Sequence, residues 1–347
     1  MTNLSTFIIA EAGVNHNGDP DRALAMVDAA FEAGADAVKF QTFSAEKLVS
    51  ASAPKAEYQK RETGDGTQLA MLKSLEMSED LHSELFARCQ KLGIEFLSTP
   101  FDLHAASFLV GLGMRRIKVP SGELDNLPFI RSLAAYGLPL IVSTGMGTME
   151  EVKEAVETVR IARENSGLLG ALSDFLTVLH CTSNYPANEC EVNLLAMQSI
   201  ANETGMPVGY SDHTLGTAVS IAAVACGARV IEKHFTLDKS LSGPDHNASL
   251  TVQEFKELVS QVRMVERALG DPVKAPTPSE IEVRKVVRRS ITAAMDLPAG
   301  SAVTEHNFEF LRPASGLAPR YFDALVGKTL AKSMKKGQSL QWTDVSK

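Results

Sequence analysis

Residues 203–236 read ETGMPVGYSDHTLGTAVSIAAVACGARVIEKHFT, a stretch that holds one complete structural unit and the opening of the next. Gly205 precedes an apolar run that closes on Ser211 and His213; a helix-period stretch then leads to Gly227 and a second apolar run that closes on His234. A glycine just past a helix supplies the left-handed residue that ends it, so each one marks where a helix stops and a strand starts. The same unit recurs upstream in EAGADAVKFQT (32–42), KLGIEFLST (91–99), GLGMRRIKVPS (111–121) and AYGLPLIVST (135–144), with Gly34, Gly93, Gly113 and Gly137 in the same place. Helix starts are marked by Asp19 before Pro20, by Ser78 before Glu79 and Asp80, and by the capping boxes Thr148/Glu151 and Thr251/Glu254. With FIIAE (7–11) and FLTVLHC (175–181), the chain shows eight strands beginning near residues 7, 37, 94, 116, 139, 176, 207 and 229. Eight alternating strand–helix units predict an α/β fold of the (β/α)8 TIM-barrel type over residues 1–270. An open doubly wound sheet is the competing fold, but no GxGxxG follows a strand.

One connection is long: Ser44 to Ser78 is polar and weakly periodic, and long connections after barrel strands are usually functional. Residues 271–287 contain Pro272, Pro276 and Pro278 and read as an extended linker. Residues 288–347 hold short β-like runs between Gly and Pro, which predicts a small β-rich second domain. The balance of 34 Lys plus Arg against 42 Asp plus Glu, a net charge of −8 without long like-charge blocks, argues against a nucleic-acid partner. The most apolar stretch, 214–228, falls short of the ~20 residues that span a bilayer. The start of the chain shows no signal peptide, and Cys89, Cys181, Cys190 and Cys226 form no CxxC pair, so the reading is a reducing, cytoplasmic location.

In a barrel of this kind, reactive groups sit at the C-terminal strand ends. Those positions hold Glu11, Lys39 with Gln41, Ser98 with Thr99, Lys118 followed by Ser121 and Glu123, Ser143 with Thr144, Thr182 with Ser183, Ser211 with His213, and His234. Short hydroxyl donors around a concave floor, with two ammonium groups, suit a phosphate-bearing anion. For each hydroxyl the alternative is a bond to loop backbone, and for Lys39 a surface position. His213 and His234 end neighbouring strands, so they form either a divalent-cation site or a pair of hydrogen-bonding or acid–base imidazoles. Glu11 and Glu123 divide between acid–base work and salt bridges to the lysines. Asp245, in SGPDH, is either a pocket residue or an ordinary acidic turn. Cys181 has no partner base in the sequence and reads as packing, while His16 either adds to the metal site or shapes the NHNG turn, which lacks the HxH pattern.

The runs EAGVNHNG, VKFQTF, APKAEYQ, FLSTPFD, KVPSGELDNLP, STGM, HCTSNYP, GYSDHT, EKHFTLDKSLSGPDHNASL and the late RRS and FLRPASGL together resemble the bacterial sialic acid synthases over essentially the whole chain. The resemblance implies a barrel that condenses phosphoenolpyruvate with an N-acetylated hexosamine, followed by a domain similar to type III antifreeze protein (a SAF domain). Carried over by position, it implies phosphoenolpyruvate contacts from Lys39, Thr99, Lys118, Ser121, Ser143, Ser183 and Ser211. It also implies sugar contacts from Gln41, Glu123, Tyr185, Asp245 and Arg312, metal ligands His213 and His234 holding Mn2+ (or Mg2+ or Co2+), and Glu11 near the reacting centre. Some members carry Asn where this chain has Ser183, followed here by Asn184, so either residue takes that contact. A domain-swapped homodimer with Arg312 acting in trans is a further implication. The expected substrate is N-acetylmannosamine, giving N-acetylneuraminic acid; the rival is a 2,4-diacetamido-trideoxy hexose, giving N,N'-diacetyllegionaminic acid, and a pseudaminic precursor is less favoured. From other classes, a metal-dependent barrel hydrolase would want HxH after the first strand. A non-catalytic carbohydrate- or ice-binding protein would lack the strand-end lysines and histidines.

Overall fold

The computed structural model describes residues 5–346, which divide into two compact units meeting at Gly270 and Asp271. The first unit carries strands β1 (Phe7–Gly13), β2 (Ala37–Thr42), β3 (Glu95–Pro100), β4 (Ile117–Val119), β5 (Leu140–Ser143), β6 (Leu176–Cys181), β7 (Val208–Asp212) and β8 (Val230–Thr236), with a short β9 (Leu250–Thr251) beside β8. The eight main strands pair in parallel in the order β3-β2-β1-β8-β7-β6-β5-β4, a nearly closed barrel whose ladder is open, among the described residues, between β3 and β4.

Around them run α1 (Pro20–Glu32), α2 (Ala45–Leu48), α3 (Glu57–Thr63), α4 (Gln68–Lys73), α5 (Glu79–Leu92), α6 (Leu103–Leu112), α7 (Leu127–Ala134), α8 (Met149–Asn165), α9 (Ala196–Thr204), α10 (Ala218–Ala225) and α11 (Val252–Leu269). Asp19 caps α1 through Arg22 N and Ser78 caps α5 through Leu81 N, and Thr148/Glu151 and Thr251/Glu254 close capping boxes on α8 and α11. Gly93 and Gly113 adopt the left-handed conformation and end α5 and α6. The long 44–78 connection is three short helices, α2 to α4, rather than an irregular loop. No described helix is long and apolar enough to cross a membrane.

Strand alternation sends successive side chains to opposite faces. One face meets the helices in a continuous apolar layer that includes Ile8, Val38, Phe40, Val142 and Ile231. The other fills the barrel in tiers, with Ile9, Ala37, Leu97, Ile141, Leu179 and Val230 forming an apolar floor. Two residues further along the strands, the interior turns polar with Glu11, Lys39, Thr99, Ser143 and Glu232, and there the candidate site begins.

The second unit, residues 271–347, opens with α12 (Pro278–Val287). The extended linker expected over 271–287 is therefore helical along more than half its length. Pro278 sits at the first helical position, where its missing N–H costs nothing, and Thr277 with Glu280 forms a capping box. Beyond it, β10 (Ser290–Ala293) pairs antiparallel with β11 (Phe308–Leu311) over a core of Ile291, Val303, Phe308, Leu325, Leu330, Met334 and Leu340. Trp342 packs edge-on against Tyr321 with ring centroids 5.3 Å apart.

Candidate active site

At the C-terminal mouth of the barrel lies a cavity of about 510 Å3, within the range of small-molecule sites. Its polar base is a ring of four buried charges. Lys39 Nζ lies 2.6 Å from Glu11 Oε2 and 3.6 Å from Glu232, and Lys118 Nζ lies 3.6 Å from the other Glu232 oxygen. Hydroxyls complete the ring: Lys39 donates to Thr99 Oγ1 at 3.0 Å, Lys118 to Ser143 Oγ at 2.6 Å, and Ser211 Oγ to Glu232 at 3.0 Å. Gln41 Nε2 donates to Glu11 Oε1 at 3.3 Å.

Withdrawal from water penalises every member of this ring, and the neighbours decide which charges survive. Burial pushes the Glu11 carboxyl up to about 7 against the pull of Lys39. Burial would also raise Glu232, but Lys118 and Lys39 outweigh it and hold that carboxyl at about 2. Burial depresses Lys118, whereas Glu11 and Glu232 overcome burial at Lys39 and keep its ammonium above the usual range. Glu11 is therefore poised near neutrality, and an arriving anion meets two lysine side chains already withdrawn from water.

His213 and His234 stand above the ring with centroids 5.5 Å apart. His213 Nδ1 donates to the Thr182 carbonyl at 2.8 Å, which leaves its other nitrogen toward the cavity, the arrangement typical of a ligating imidazole. Burial, with His213 beside it, holds His234 well below its usual range and so neutral. Its Nδ1 is buried without a hydrogen-bond partner, 3.9 Å from Asp245 Oδ2. Two imidazoles with an orphaned nitrogen fit a divalent cation. Among the described residues no third His, Cys, Asp or Glu completes a cluster, so water and substrate would supply the other ligands. Tyr185 packs on His213 at 4.1 Å, and Tyr58 of α3 stacks on Tyr185 at 5.1 Å.

Of the residues singled out in the sequence, Glu11, Lys39, Gln41, Thr99, Lys118, Ser121, Ser143, Ser183, Tyr185, Ser211, His213, His234 and Asp245 line this one cavity. Lys39 is 3 % exposed, which settles it as an interior lysine. Ser183 lines the cavity while Asn184 is exposed. Ser98 and Thr144 point the other way, onto Thr42 and the Leu179 carbonyl, because adjacent strand residues cannot share a face. Glu123 is not brought to the cavity: the 3-10 turn Ser121–Glu123 turns Ser121 inward and sets Glu123 against Asn126 Nδ2 at 2.6 Å. Its place as second carboxylate is taken by Glu232, which the sequence reading passed over. Cys181 lies beside the site, with Sγ 3.7 Å from His213 Nδ1. His16 is buried and its Nδ1 accepts from Gly18 N at 3.0 Å, a turn-shaping contact. Arg312 directly follows β11 in the second unit.

Behind the histidines, facing the helices, is a second ion pair. Asp212 Oδ2 lies 2.9 Å from Lys233 Nζ, both side chains fully enclosed, on residues that are register partners across β7 and β8. Asp212 also accepts from Thr214 N and Oγ1 at 2.8 Å and from Ser220 Oγ at 2.5 Å, and Lys233 donates to the Thr214 carbonyl. The pair thus pins the backbone on either side of His213 and immediately before His234.

Comparison with known proteins shows the family. Residues 26–274 match the model of the NeuB family and residues 288–346 that of the SAF domain. The chain is 50% identical over 345 residues to an N,N'-diacetyllegionaminic acid synthase of Legionella pneumophila, covering 99% of this chain and 96% of that one. It is 44% identical to an N,N'-diacetyllegionaminic acid synthase of Campylobacter jejuni, covering 97% of this chain and 99% of that one. The solved N-acetylneuraminic acid synthetase of Leptospira borgpetersenii, in complex with citrate, superposes with a TM-score of 0.71 at 33% identity, covering 82% of this chain and 93% of that one.

Proposed function

The chain belongs to the NeuB family, phosphoenolpyruvate-using synthases of nonulosonic acids, and from that premise we propose that it makes N,N'-diacetyllegionaminic acid and phosphate from phosphoenolpyruvate, water and 2,4-diacetamido-2,4,6-trideoxymannose. The observation carrying this choice of sugar is the near full-length likeness to two synthases of that name. N-acetylmannosamine, the first expectation from the sequence, yields to its rival on that ground.

Lys39 and Lys118 hold the phosphoenolpyruvate anion, with Thr99, Ser121, Ser143, Ser183 and Ser211 donating around it. His213 and His234 would hold a divalent cation, Mn2+ in the first instance and Mg2+ or Co2+ otherwise, whose chemistry is to polarise the sugar aldehyde. Gln41, Tyr185 and Asp245 orient the sugar so that C3 of the enol attacks the aldehyde carbon. Water then captures the oxocarbenium at C2, and the adduct collapses with C–O cleavage to expel phosphate. Glu11, titrating near neutrality beside Lys39, moves a proton at the reacting oxygens. Lys39 acts as a charge and forms no Schiff base. The test is phosphate release from phosphoenolpyruvate and Mn2+ with each sugar in parallel. Turnover with the trideoxy sugar is expected to exceed that with N-acetylmannosamine, and the reverse order overturns the reading.

The working unit in this reading is a homodimer in which Arg312 of one copy serves the other copy's cavity, orienting an N-acetyl carbonyl through its rigid guanidinium. Co-expression of inactive Arg312→Ala with inactive His213→Ala should recover activity if sites are shared, and a dead mixture refutes the exchange.

A further inference from the structure

The cavity has two chemically different halves. One is the ring of charges with the histidines; the other is built from the 44–78 segment, where Leu48, Met71, Leu72 and Leu75 join Val14 and Phe101 in a separate small apolar cluster. No charged side chain of that segment lines the cavity. Of its two amides there, Gln59 is partly engaged: its Oε1 accepts from Ala56 N at 3.0 Å and from Gln68 Nε2 at 3.4 Å. The segment is fastened to the histidine end of the site by the Tyr58–Tyr185 stack.

Building on the function proposed above, we propose that this wall is the specificity element of the enzyme, with Met71 and Leu72 reading the methyl groups at the far end of the sugar. The aldehyde must lie beside His213 and His234, with phosphoenolpyruvate on the lysines. The carbons farthest from the aldehyde must then leave the charged half and lie against the wall. A sugar with a C6 methyl and a C4 acetamido group places two methyls there. N-acetylmannosamine places two hydroxyls there, against Met71 and Leu72 side chains that offer them no hydrogen bond, and a buried hydroxyl without a partner is disfavoured. A hydrophobic wall discriminates by about tenfold or more per methyl group.

The test compares kcat/KM for the trideoxy sugar and for N-acetylmannosamine in the wild type, Met71→Gln, Leu72→Gln and the conservative Met71→Leu, at saturating phosphoenolpyruvate. The wild type should favour the trideoxy sugar, each Gln variant should shrink that ratio about tenfold with the phosphoenolpyruvate KM unchanged, and Met71→Leu should keep it. A wild type that favours N-acetylmannosamine overturns the proposed function itself. A wild type that favours the trideoxy sugar, with Gln variants that lose both sugars in equal proportion or neither, overturns the wall assignment alone.

Discussion

Replacing Lys233 by methionine removes the ammonium from an ion pair that no water reaches. Both side chains are fully enclosed, and the Asp212 carboxylate would keep its bonds from Thr214 and Ser220 but lose the ammonium that lies 2.9 Å from it. Breaking one side of a buried pair costs about 3–5 kcal/mol, because the remaining charge is left in a medium that solvates it poorly. For a unit of this size that corresponds to a fall in Tm of roughly 6–20 °C, out of a total stability of about 5–15 kcal/mol. Differential scanning calorimetry of the full chain reads the shift directly. The double variant Asp212→Asn/Lys233→Met removes both charges and should recover most of the loss. Since the pair pins the backbone on either side of His213 and immediately before His234, Mn2+ affinity followed by electron paramagnetic resonance should weaken about 10–100-fold in Lys233→Met. A single variant within about 1 kcal/mol of wild type, with a double variant that is worse, would refute the argument, for it would mean that the pair makes no net contribution.

Lys39→Ala should raise the phosphoenolpyruvate KM or abolish turnover, since it deletes the ammonium shared by Glu11, Glu232 and Thr99; unchanged kinetics would mean that the anion binds elsewhere. Chelation with EDTA should stop the reaction and Mn2+, Co2+ or Mg2+ should restart it, whereas full activity in metal-stripped protein contradicts the two-histidine site. Burial lowers His16 and His246 from the usual 6.5 to about 4. Below pH 6.5 the unfolded chain therefore takes up protons that the folded one refuses, and stability falls as pH drops toward 4. The urea midpoint should drop between pH 7 and pH 5, and His16→Asn and His246→Asn should each show a smaller drop; variants that track the wild type would exclude these residues as the cause.

The barrel was legible because its signals are local: a glycine stop, an apolar run and a polar strand end repeat in every unit. The inward set was legible for the same reason. Lys39 and Lys118 stand on otherwise apolar strands, and a charge there demands a function or a partner. The partners themselves were less visible. IEKHFT places three polar residues in succession on a buried strand, and attention to His234 hid the need to satisfy Glu232 on the inner face and Lys233 on the outer. That count of unsatisfied polar groups was the signal that would have found them. Glu123 misled because strand-end position was read from sequence, while the 3-10 turn after β4 rotates it away. Pro278 starts a helix instead of extending the linker, because Thr277 and Glu280 flank it as a capping box. The contribution of the 44–78 segment to the cavity had no periodicity to announce it, since helices of four to seven residues are too short to show one.

The contact between Trp342 and Tyr321 has an optical consequence. Trp342 is the sole tryptophan in the chain and belongs to the second unit, so the barrel contributes only tyrosine and phenylalanine signals. Excitation at the red edge of the indole band therefore reports one unit, while calorimetry and far-ultraviolet dichroism weigh both. Coincident transitions by the two kinds of probe would identify the chain as a single cooperative block, and separated ones would give each unit its own melting curve without cutting the polypeptide or adding a label.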